Sequence, residues 1–420
     1  MQGSEVAIPT VDLVIVAVYL LGILTIGILV GYKKRVGSED FFLAGKSLRW
    51  PIIGTALFTA NISTIHLVGL AADGYRLGLV VGNFEWMASF TLIILGLVFA
   101  PFYIRSKIGT LPEYLERRYS SASRLIMAFI TVLGALLIHI GISLYAGAKV
   151  MEYFFGINIY VSIIVIATIT ATYTIIGGLK AIVVTDAIQA VVLLAGSALL
   201  TLTAILTLPE VGIHSLSQFQ EANKFDQMSM VHDFRNSVTG HLNEYSWVSV
   251  LLGYPILGIW YWCTDQTIVQ KVLGARSERD AQYGAIFAGF LKISPVFLMV
   301  FPGVLGYLLF QNQIVEPNDT LLVMIQNLLP TGLRGLMAAA LLAALMSTIE
   351  AALNSTACVT AEDIVKRIRP ETKDRSLVLI GRITAVVVIL LAMAWSTQGG
   401  RFTSIFVAIN KIPMMFAPPS

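Results

Sequence analysis

The hydrophobic positions of the chain are grouped into long, nearly uninterrupted stretches. A helix needs about 20 apolar residues to cross a bilayer, and about eleven stretches satisfy this rule. Periodicity within each stretch is weak, as expected for helices surrounded by lipid and protein. The pattern therefore predicts an all-α membrane protein with many spans. The predicted spans are 9–32, 51–72, 79–103, 123–154, 157–177, 181–207, 246–270, 281–310, 332–366, 376–397 and 403–420.

Composition supports this class and argues against several others. Hydrophobic residues make up 56% of the 420 residues and charged residues only 13%, which is far from the average of soluble domains. The net charge of +3 gives no reason to expect a nucleic-acid partner. The sequence contains no recognisable nucleophile–base set and no nucleotide-binding loop, so we do not expect an enzyme.

Lysine and arginine are concentrated in every second loop, which sets the expected orientation. If each span crosses once, the basic loops all lie on one side, and that side is cytoplasmic. The N-terminus is then extracellular or periplasmic, and the protein is a multi-pass protein of the plasma membrane. The long polar segment 208–245 falls outside and is interpreted as a surface loop. The basic loops contain Lys33, Lys34, Arg35, Lys46, Arg49, Arg105, Lys107, Arg117, Arg118, Arg124, Lys180, Lys271, Arg276, Arg279, Lys366, Arg367, Arg369, Lys373 and Arg375.

Two predicted spans contain helix-breaking and polar residues near their middle. The second span, 51–72, has Asn61 and Ser63 between apolar runs, and the seventh, 246–270, combines Pro255 with several glycines and polar residues. If 9–32 is an accessory helix, these become the first helices of two five-helix halves, 51–207 and 246–420. Paired interrupted helices in corresponding halves indicate a transporter binding site. The alternative is that both are packing kinks.

Ionisable residues inside spans favour a polar path through the membrane. Glu85 and Lys292 each lie in an apolar stretch, where a charge costs roughly 2.5–3.5 kcal/mol on insertion scales. With the polar residues around the breaks they offer donors, acceptors and an aromatic face, which suits a neutral polyol. The alternatives are a structural Glu85–Lys292 pair, a packed histidine and an interfacial tryptophan. The candidate set is Asn61, His66, Glu85, Tyr261, Trp262 and Lys292.

Two adjacent hydroxyl residues on the ninth span, Ser347 and Thr348, suggest a sodium site. Na⁺ is a hard cation, and oxygen ligands suit such ions. The site would add the carbonyl of Ala344 and carbonyls near Thr59 and Ile62 in the interrupted second span. The alternative is that both hydroxyls bond back to their own helix.

Asp186 follows Thr185 where the sixth predicted span, 181–207, begins on the cytoplasmic side. It is open to two interpretations. It could be a helix N-cap, for which Asp is a favoured residue. It could also meet an ion that leaves toward the cytoplasm.

Residues 12–420 resemble the sodium/glucose cotransporters of the solute:sodium symporter family. The Phe-Leu-Ala-Gly sequence near the start is common to the whole family, whereas Trp-Tyr-Trp-Cys-Thr-Asp-Gln is specific to its sugar branch. The motifs that carry the resemblance are Phe41–Arg49, Ala60–Ser63, Phe84–Trp86, Tyr173–Leu179 with Thr185 and Asp186, Trp260–Gln266 and Leu353–Thr356.

The resemblance implies a LeuT-type 5+5 inverted repeat with an extra N-terminal helix and sodium-driven alternating access. It also implies further helices beyond residue 420, so that the chain would be truncated at its C-terminus. Tyr261 would be the inner gate, and Glu350 is an acid where the family has a small or hydroxyl residue. The implied sugar contacts are Asn61, His66, Glu85, Tyr261, Trp262 and Lys292, with Asn410 at the position of a family glutamine. The implied sodium ligands are Thr59, Ile62, Ala344, Ser347 and Thr348.

The sequence therefore favours a symporter of a neutral sugar or polyol with Na⁺ as the coupling ion. Two alternatives remain open. One is a sodium symporter for another small solute, such as an amino acid, a carboxylate or a vitamin, which would need a fixed charge complementary to that solute. The other is a sensor or conductance protein that binds sugar without concentrating it.

Overall fold

Helices form most of the part of the chain that the computed structural model describes, which is residues 9–32, 37–223, 227–235 and 243–398. Within these residues, seven helices are long and apolar enough to cross a membrane, and a bent pair forms an eighth candidate. The seven are α1 (Thr10–Gly31), α5 (Leu79–Ser106), α7 (Ser121–Phe155), α8 (Ile159–Val211), α12 (Glu278–Phe310), α14 (Leu333–Ile368) and α15 (Asp374–Ser396), and the bent pair is α3 (Trp50–Asn61) with α4 (Thr64–Leu77).

Shorter helices connect these spans. Two of them, α10 and α11, together occupy most of the predicted seventh span. The shorter helices are α2 (Ser38–Phe42), α6 (Leu111–Arg118), α9 (Leu216–Ala222), α10 (residues 249–264), α11 (Gln266–Leu273) and α13 (Thr320–Leu328).

Both spans with central breakers are interrupted, as the sequence predicts. Ile62 and Ser63 are extended between α3 and α4, and the Ser63 hydroxyl accepts a hydrogen bond from the backbone N–H of His66. Asp265 is extended between α10 and α11, and its carboxylate accepts a 2.7 Å hydrogen bond from the backbone N–H of Thr267. Each break therefore begins a new helix with its own capping side chain, which satisfies an otherwise unpaired backbone donor.

The predicted fifth and sixth spans join directly inside α8 without a loop. The junction is Gly178, whose φ of 53° and ψ of −162° suit glycine and strain other residues. Asp186 lies eight residues beyond this junction and is buried in the middle of the helical run. The N-cap interpretation of Asp186 is therefore wrong, because the helix begins well before it.

α14 is the central helix of the molecule. In its most apolar window 94% of the residues are buried, against 22–50% for the other six long helices. It contacts α1, α7, α8 and α15. The alanines along α14 keep its surface narrow, which allows neighbouring backbones to approach closely. The predicted last span, 403–420, and Asn410 within it lie outside the described residues.

Part of the predicted surface loop 208–245 packs against the membrane helices. Gln227 is 3% exposed, and its carbonyl accepts a 2.8 Å hydrogen bond from the N–H of Leu79, at the start of α5. Its side chain donates to the carbonyl of Tyr75 at the end of α4. The predicted surface loop is therefore anchored to the helices at Gln227, where the chain is buried rather than exposed.

A network of ion pairs connects α6, α7 and α14 on the side of the molecule where the basic loops lie. Arg124 lies 2.7 Å from Asp363, which is fully buried, and 2.6 Å from Glu116. Arg367 lies 2.7 Å from the other oxygen of Glu116, and Thr110 donates to Asp363. The hydrogen bond from Arg124 holds the pKa of Glu116 below its usual value.

We expect Arg124→Ala to destabilise the protein by about 3–5 kcal/mol, because it leaves the buried Asp363 carboxylate without its cation. Thermal unfolding of the purified protein in detergent would measure this loss. The control is Arg105→Ala, which breaks the exposed Arg105–Glu278 pair and should change little. Equal losses of stability in the two variants would contradict the conclusion that this network stabilises the fold.

Candidate substrate and cation sites

Four polar side chains from four different helical segments meet beside the break between α3 and α4. Glu85, in α5, is 2% exposed. One of its carboxylate oxygens lies 2.7 Å from His66 Nε2, and the other accepts a 2.6 Å hydrogen bond from Lys292 Nζ. Lys292 also donates to the side-chain carbonyl of Asn61, the last residue of α3. The cluster thus contains the carboxylate of Glu85, the ammonium of Lys292, and the amide and imidazole of Asn61 and His66.

Lys292 is held inside the protein by an interruption of α12. The first helical segment of α12 ends at Leu291, and Pro295 lies just beyond the lysine. Pro lacks a backbone donor, and the Ser294 hydroxyl donates to the Leu291 carbonyl at this point. Lys292 is 0% exposed, so its ammonium cannot reach the interface and depends on the partners around it.

Two aromatic side chains lie next to the Glu85–Lys292 ion pair. Tyr261 and Trp262 lie in a π-helical stretch, Trp260–Thr264, immediately before the break at Asp265. Their rings are 5.1 Å apart and nearly perpendicular, and the Lys292 ammonium lies 5.5 Å from the Trp262 ring centre. The π-helical winding presents two consecutive aromatic side chains close to the same site, a use of such stretches that is common at functional sites.

The structure brings six of the predicted substrate residues together: Asn61, His66, Glu85, Tyr261, Trp262 and Lys292. The seventh, Asn410, lies outside the described residues. Tyr254, whose hydroxyl lies near Trp262 and Glu85, was not among the predicted residues. A signal existed, since Tyr254 precedes Tyr261 by seven residues, or two helical turns, in the same interrupted span. The close Glu85–Lys292 pair is also what a purely structural role would require.

A second polar cluster lies two residues further back along α3. The Asp186 carboxylate accepts a 3.0 Å hydrogen bond from the Thr59 hydroxyl and another from the Ser347 hydroxyl. All three side chains are buried. Thr348 instead donates to the carbonyl of Ala344, so back-bonding to its own helix occurs for Thr348 and not for Ser347.

The second cluster links the interrupted helix to two others. Thr59 lies in the last turn of α3 and Ile62 is the first residue of the break, and the Ile62 N–H donates to the Thr59 carbonyl. Ala344, Ser347 and Thr348 lie on the buried α14, and Asp186 comes from α8. The contacts bring together the hydroxyls of Thr59 and Ser347 and the carboxylate of Asp186, and a hard cation prefers oxygen ligands of this kind. Because Thr59 and Asn61 share one turn of α3, the two clusters are mechanically connected.

Two further buried ionisable side chains lie near Asp186. Lys271 Nζ lies 3.9 Å from the second Asp186 oxygen, and Glu350 accepts a 3.1 Å hydrogen bond from Thr185. Lys271 is 1% exposed and Glu350 is 0% exposed. Counting Lys271 as a cytoplasmic loop residue was wrong, because α11 turns inward after the break at Asp265 and carries the lysine with it.

The chain matches the family described as Sodium:solute symporter family over residues 41–420. It is 34% identical to sodium/glucose cotransporter 2 of Rattus norvegicus, covering 100% of this chain and 68% of that protein. It is 35% identical to the sodium/mannose cotransporter SLC5A10 of Bos taurus, with 97% and 73% covered. It is 32% identical to sodium/myo-inositol cotransporter 2 of Oryctolagus cuniculus, with 97% and 64% covered. The chain thus spans roughly two thirds of the length of these relatives.

Solved structures show the same architecture. A Na⁺-coupled sialic acid symporter in a substrate-bound outward-open state superposes with a TM-score of 0.81 at 21% identity, covering 94% of this chain and 84% of that one. Mhp1, a nucleobase-cation-symport-1 family transporter, gives 0.60 at 16% identity, with 87% and 75% covered. These similarities confirm the LeuT-type fold that the resemblance implied. With its membrane helices and close sequence relatives, the chain belongs to the sodium:solute symporter family, which consists of sodium-coupled transporters rather than enzymes.

Proposed function

We propose that the protein carries a neutral sugar or polyol across the plasma membrane together with Na⁺, by alternating access, with its N-terminus outside the cell. The observation that carries this proposal is the cluster around Glu85 and Lys292 beside Trp262, one helical turn from a set of hard oxygen donors. The cluster would bind the solute, and the oxygen donors would bind the ion.

The charges of the substrate cluster favour a neutral solute. Glu85 and Lys292 balance each other, so a charged amino acid or carboxylate would add a charge with no fixed complement. Sugar hydroxyls both donate and accept, and they match the carboxylate, ammonium, amide and imidazole groups. The Trp262 ring offers a surface on which the CH face of a sugar can stack.

The similar proteins support this substrate class. They are named as cotransporters of sodium with glucose, mannose or myo-inositol. These solutes share several adjacent hydroxyl groups and no charge. We therefore propose a hydroxyl-rich neutral solute for this chain, with Tyr261 as the inner gate and Asn410 as a further contact.

For the ion, we propose a sodium site formed by Thr59, Ile62, Ala344, Ser347 and Thr348. Asp186 would receive the ion as it leaves toward the cytoplasm, since its carboxylate already contacts Thr59 and Ser347. We also propose α1 as the accessory helix and residues 51–207 and 246–420 as the two five-helix repeats.

Uptake into proteoliposomes tests the proposal. An inward sodium gradient should drive accumulation of at least one of glucose, galactose, mannose and myo-inositol above its external concentration, and a potassium gradient should not. Sodium-driven accumulation of a charged amino acid or carboxylate alone would identify the alternative substrate class. Sugar binding without accumulation would identify a sensor and overturn the proposal.

Alanine substitutions on α14 test the sodium site. Ser347→Ala and Thr348→Ala should each raise the sodium concentration for half-maximal uptake more than they change sugar affinity at saturating sodium, because each removes one oxygen ligand. We expect each oxygen ligand of Na⁺ to contribute about as much as a hydrogen bond to a charged group, about 1.5–3 kcal/mol. The matched control is Ser355→Ala, a buried hydroxyl on the same helix away from the cluster. Unchanged sodium dependence in both variants would rule out this site.

A further inference from the structure

The accessory helix α1 contacts both helices that carry the proposed cation site. It packs against α8, which holds Asp186, and against α14, which holds Ser347. Its buried residues recur every three or four positions, so one continuous face of α1 lies against the protein. These buried residues are Asp12, Val16, Leu20, Ile23, Gly27 and Gly31.

Asp12 fastens one end of this face to the start of α14. Its carboxylate is buried, and one oxygen accepts 2.7 Å hydrogen bonds from the backbone N–H groups of Gly332 and Gly335. The first N–H groups of a helix have no partner within the helix, and the helix dipole favours an anion there. Asp12 therefore caps α14 from more than 300 residues away. A side chain on Gly335 would collide with Asp12, since its Cβ would lie 2.7 Å from the Asp12 Cα.

The other end of the face is fastened to α8. A Cβ on Gly27 would lie 2.7 Å from the Cβ of Tyr173, and one on Gly31 would lie 2.6 Å from the Cα of Gly177. Glycine at these positions lets the two backbones approach more closely than any larger residue would permit. This end of α1 is therefore seated against α8 close to the junction at Gly178.

The middle of α1 reaches the back of the cation cluster. The Tyr19 hydroxyl is buried and faces Gln189 of α8 and Glu350 of α14, with Asp186 nearby. α1 thus contacts α14 at its first turn, α8 near its junction, and both helices where Asp186 approaches Ser347.

We propose that α1 fixes the distance between α8 and α14, and we refer to this role as the brace. Asp12 is then a positioning residue for the cation site. The inference rests on the function proposed above for Ser347 and Asp186. Ser347 lies twelve residues after Gly335, about 18 Å along a rigid helix. A shift or rotation at the capped end is therefore carried to Ser347, whose hydrogen bond to Asp186 tolerates only a few tenths of an ångström.

Sodium titration of the purified protein tests the role of Asp12. Asp12→Ala should raise the sodium concentration for half-maximal uptake, by about 2–30-fold if the free energy of the helix cap is coupled in full to the cation site. Asp12→Asn keeps a carbonyl oxygen that can accept both N–H groups, so it should recover most of this loss. Sugar affinity at saturating sodium should stay within about twofold in both. Asp374→Ala is the matched control, because Asp374 is an exposed acid in the first turn of α15.

A distance measurement separates the brace from the transport function. Val191 on α8 and Thr331 just before α14 are both exposed. Spin labels attached to Val191→Cys and Thr331→Cys would report the distance between the two helices by double electron–electron resonance. Asp12→Ala should broaden or shift this distance distribution, whereas Asp374→Ala should not. An unchanged distribution would overturn the brace even if sodium drives uptake. A changed distribution in a protein that sodium does not drive would overturn the proposed function and leave the brace standing. A lower melting temperature with unchanged spacing and unchanged sodium dependence would reduce Asp12 to a structural cap.

Discussion

Replacement of Lys292 by alanine is expected to abolish measurable sugar binding and sodium-driven uptake. The substitution removes the only cation within 4 Å of Glu85 in the described residues, apart from His66 when it is protonated. It also removes the donor to Asn61 and the ammonium next to the Trp262 ring. Removing one partner of a buried pair costs about 3–5 kcal/mol of folding stability. Loss of a charge-assisted hydrogen bond to the solute would cost a further ~1.5–3 kcal/mol of binding, or about one to two powers of ten in affinity.

Part of this loss would come from folding, and a second variant separates the two effects. Glu85→Gln combined with Lys292→Met leaves no unpaired charge and similar side-chain volumes, so it should recover thermal stability. If the pair binds solute, the double variant should still bind no sugar. Glu85→Gln alone should weaken binding by about 1–3 kcal/mol, because an amide replaces a charged acceptor.

The measurements are equilibrium sugar binding at saturating sodium, uptake and thermal unfolding. The control is Lys149→Ala, which breaks an exposed pair with Glu152 on α7 and should alter none of them. A Lys292→Ala protein that folds and binds sugar normally would show that Lys292 does not contact the solute. A double variant that regains both stability and binding would establish the purely structural role of the pair.

Asp186→Asn is expected to weaken strongly the activation of uptake by sodium. The carboxylate is the acceptor that joins Thr59 on the interrupted helix to Ser347 on α14. An amide cannot attract a cation as a carboxylate does, and its NH₂ group offers donors where the hydroxyls also donate. The ammonium of Lys271 would in addition lose its nearest anion. We expect the sodium concentration for half-maximal uptake to rise by at least about tenfold, or about 1.4 kcal/mol.

The control for Asp186 is Asp363→Asn, a fully buried acid at the far end of α14. Both variants neutralise a buried carboxylate with a basic partner, so both should lower thermal stability. Only Asp186→Asn should change sodium dependence, since Asp363 contacts Thr110 and Arg124 on the side of the basic loops. Equal sodium dependence in the two variants and the unmodified protein would exclude Asp186 from the ion path.

The two proposed sites would offer a direct route for coupling between solute and ion. Asn61 and Thr59 lie on the same last turn of α3, and the break follows immediately. If Na⁺ binds at Thr59 as proposed, a movement of this turn on ion binding would also move Asn61 against Lys292. No further residues are needed to connect the two clusters, because each includes a residue from the last turn of the same interrupted helix.

The sequence by itself determined the membrane class, most of the spans and the two interruptions. These features depend on local chemistry: an apolar stretch of sufficient length must be buried in lipid or protein, and Gly, Pro or Asn in mid-span frees backbone groups. It also determined that Glu85 and Lys292 need partners, because a charge in such a stretch is costly wherever it lies. The resemblance then added the fold and the site residues, and the family and the fold are confirmed.

Only the tertiary structure decided which side chains meet. Asp186 is in mid-helix because α8 continues through Gly178, and Lys271 is buried because α11 turns inward after Asp265. The cap of α14 by Asp12 joins residues more than 300 positions apart. Among the seven long helices of the described residues, α14 has the least apolar sequence, yet it is the most buried of them. Contacts between distant segments depend on how helices pack against one another. The composition of a single span does not determine which helices those are.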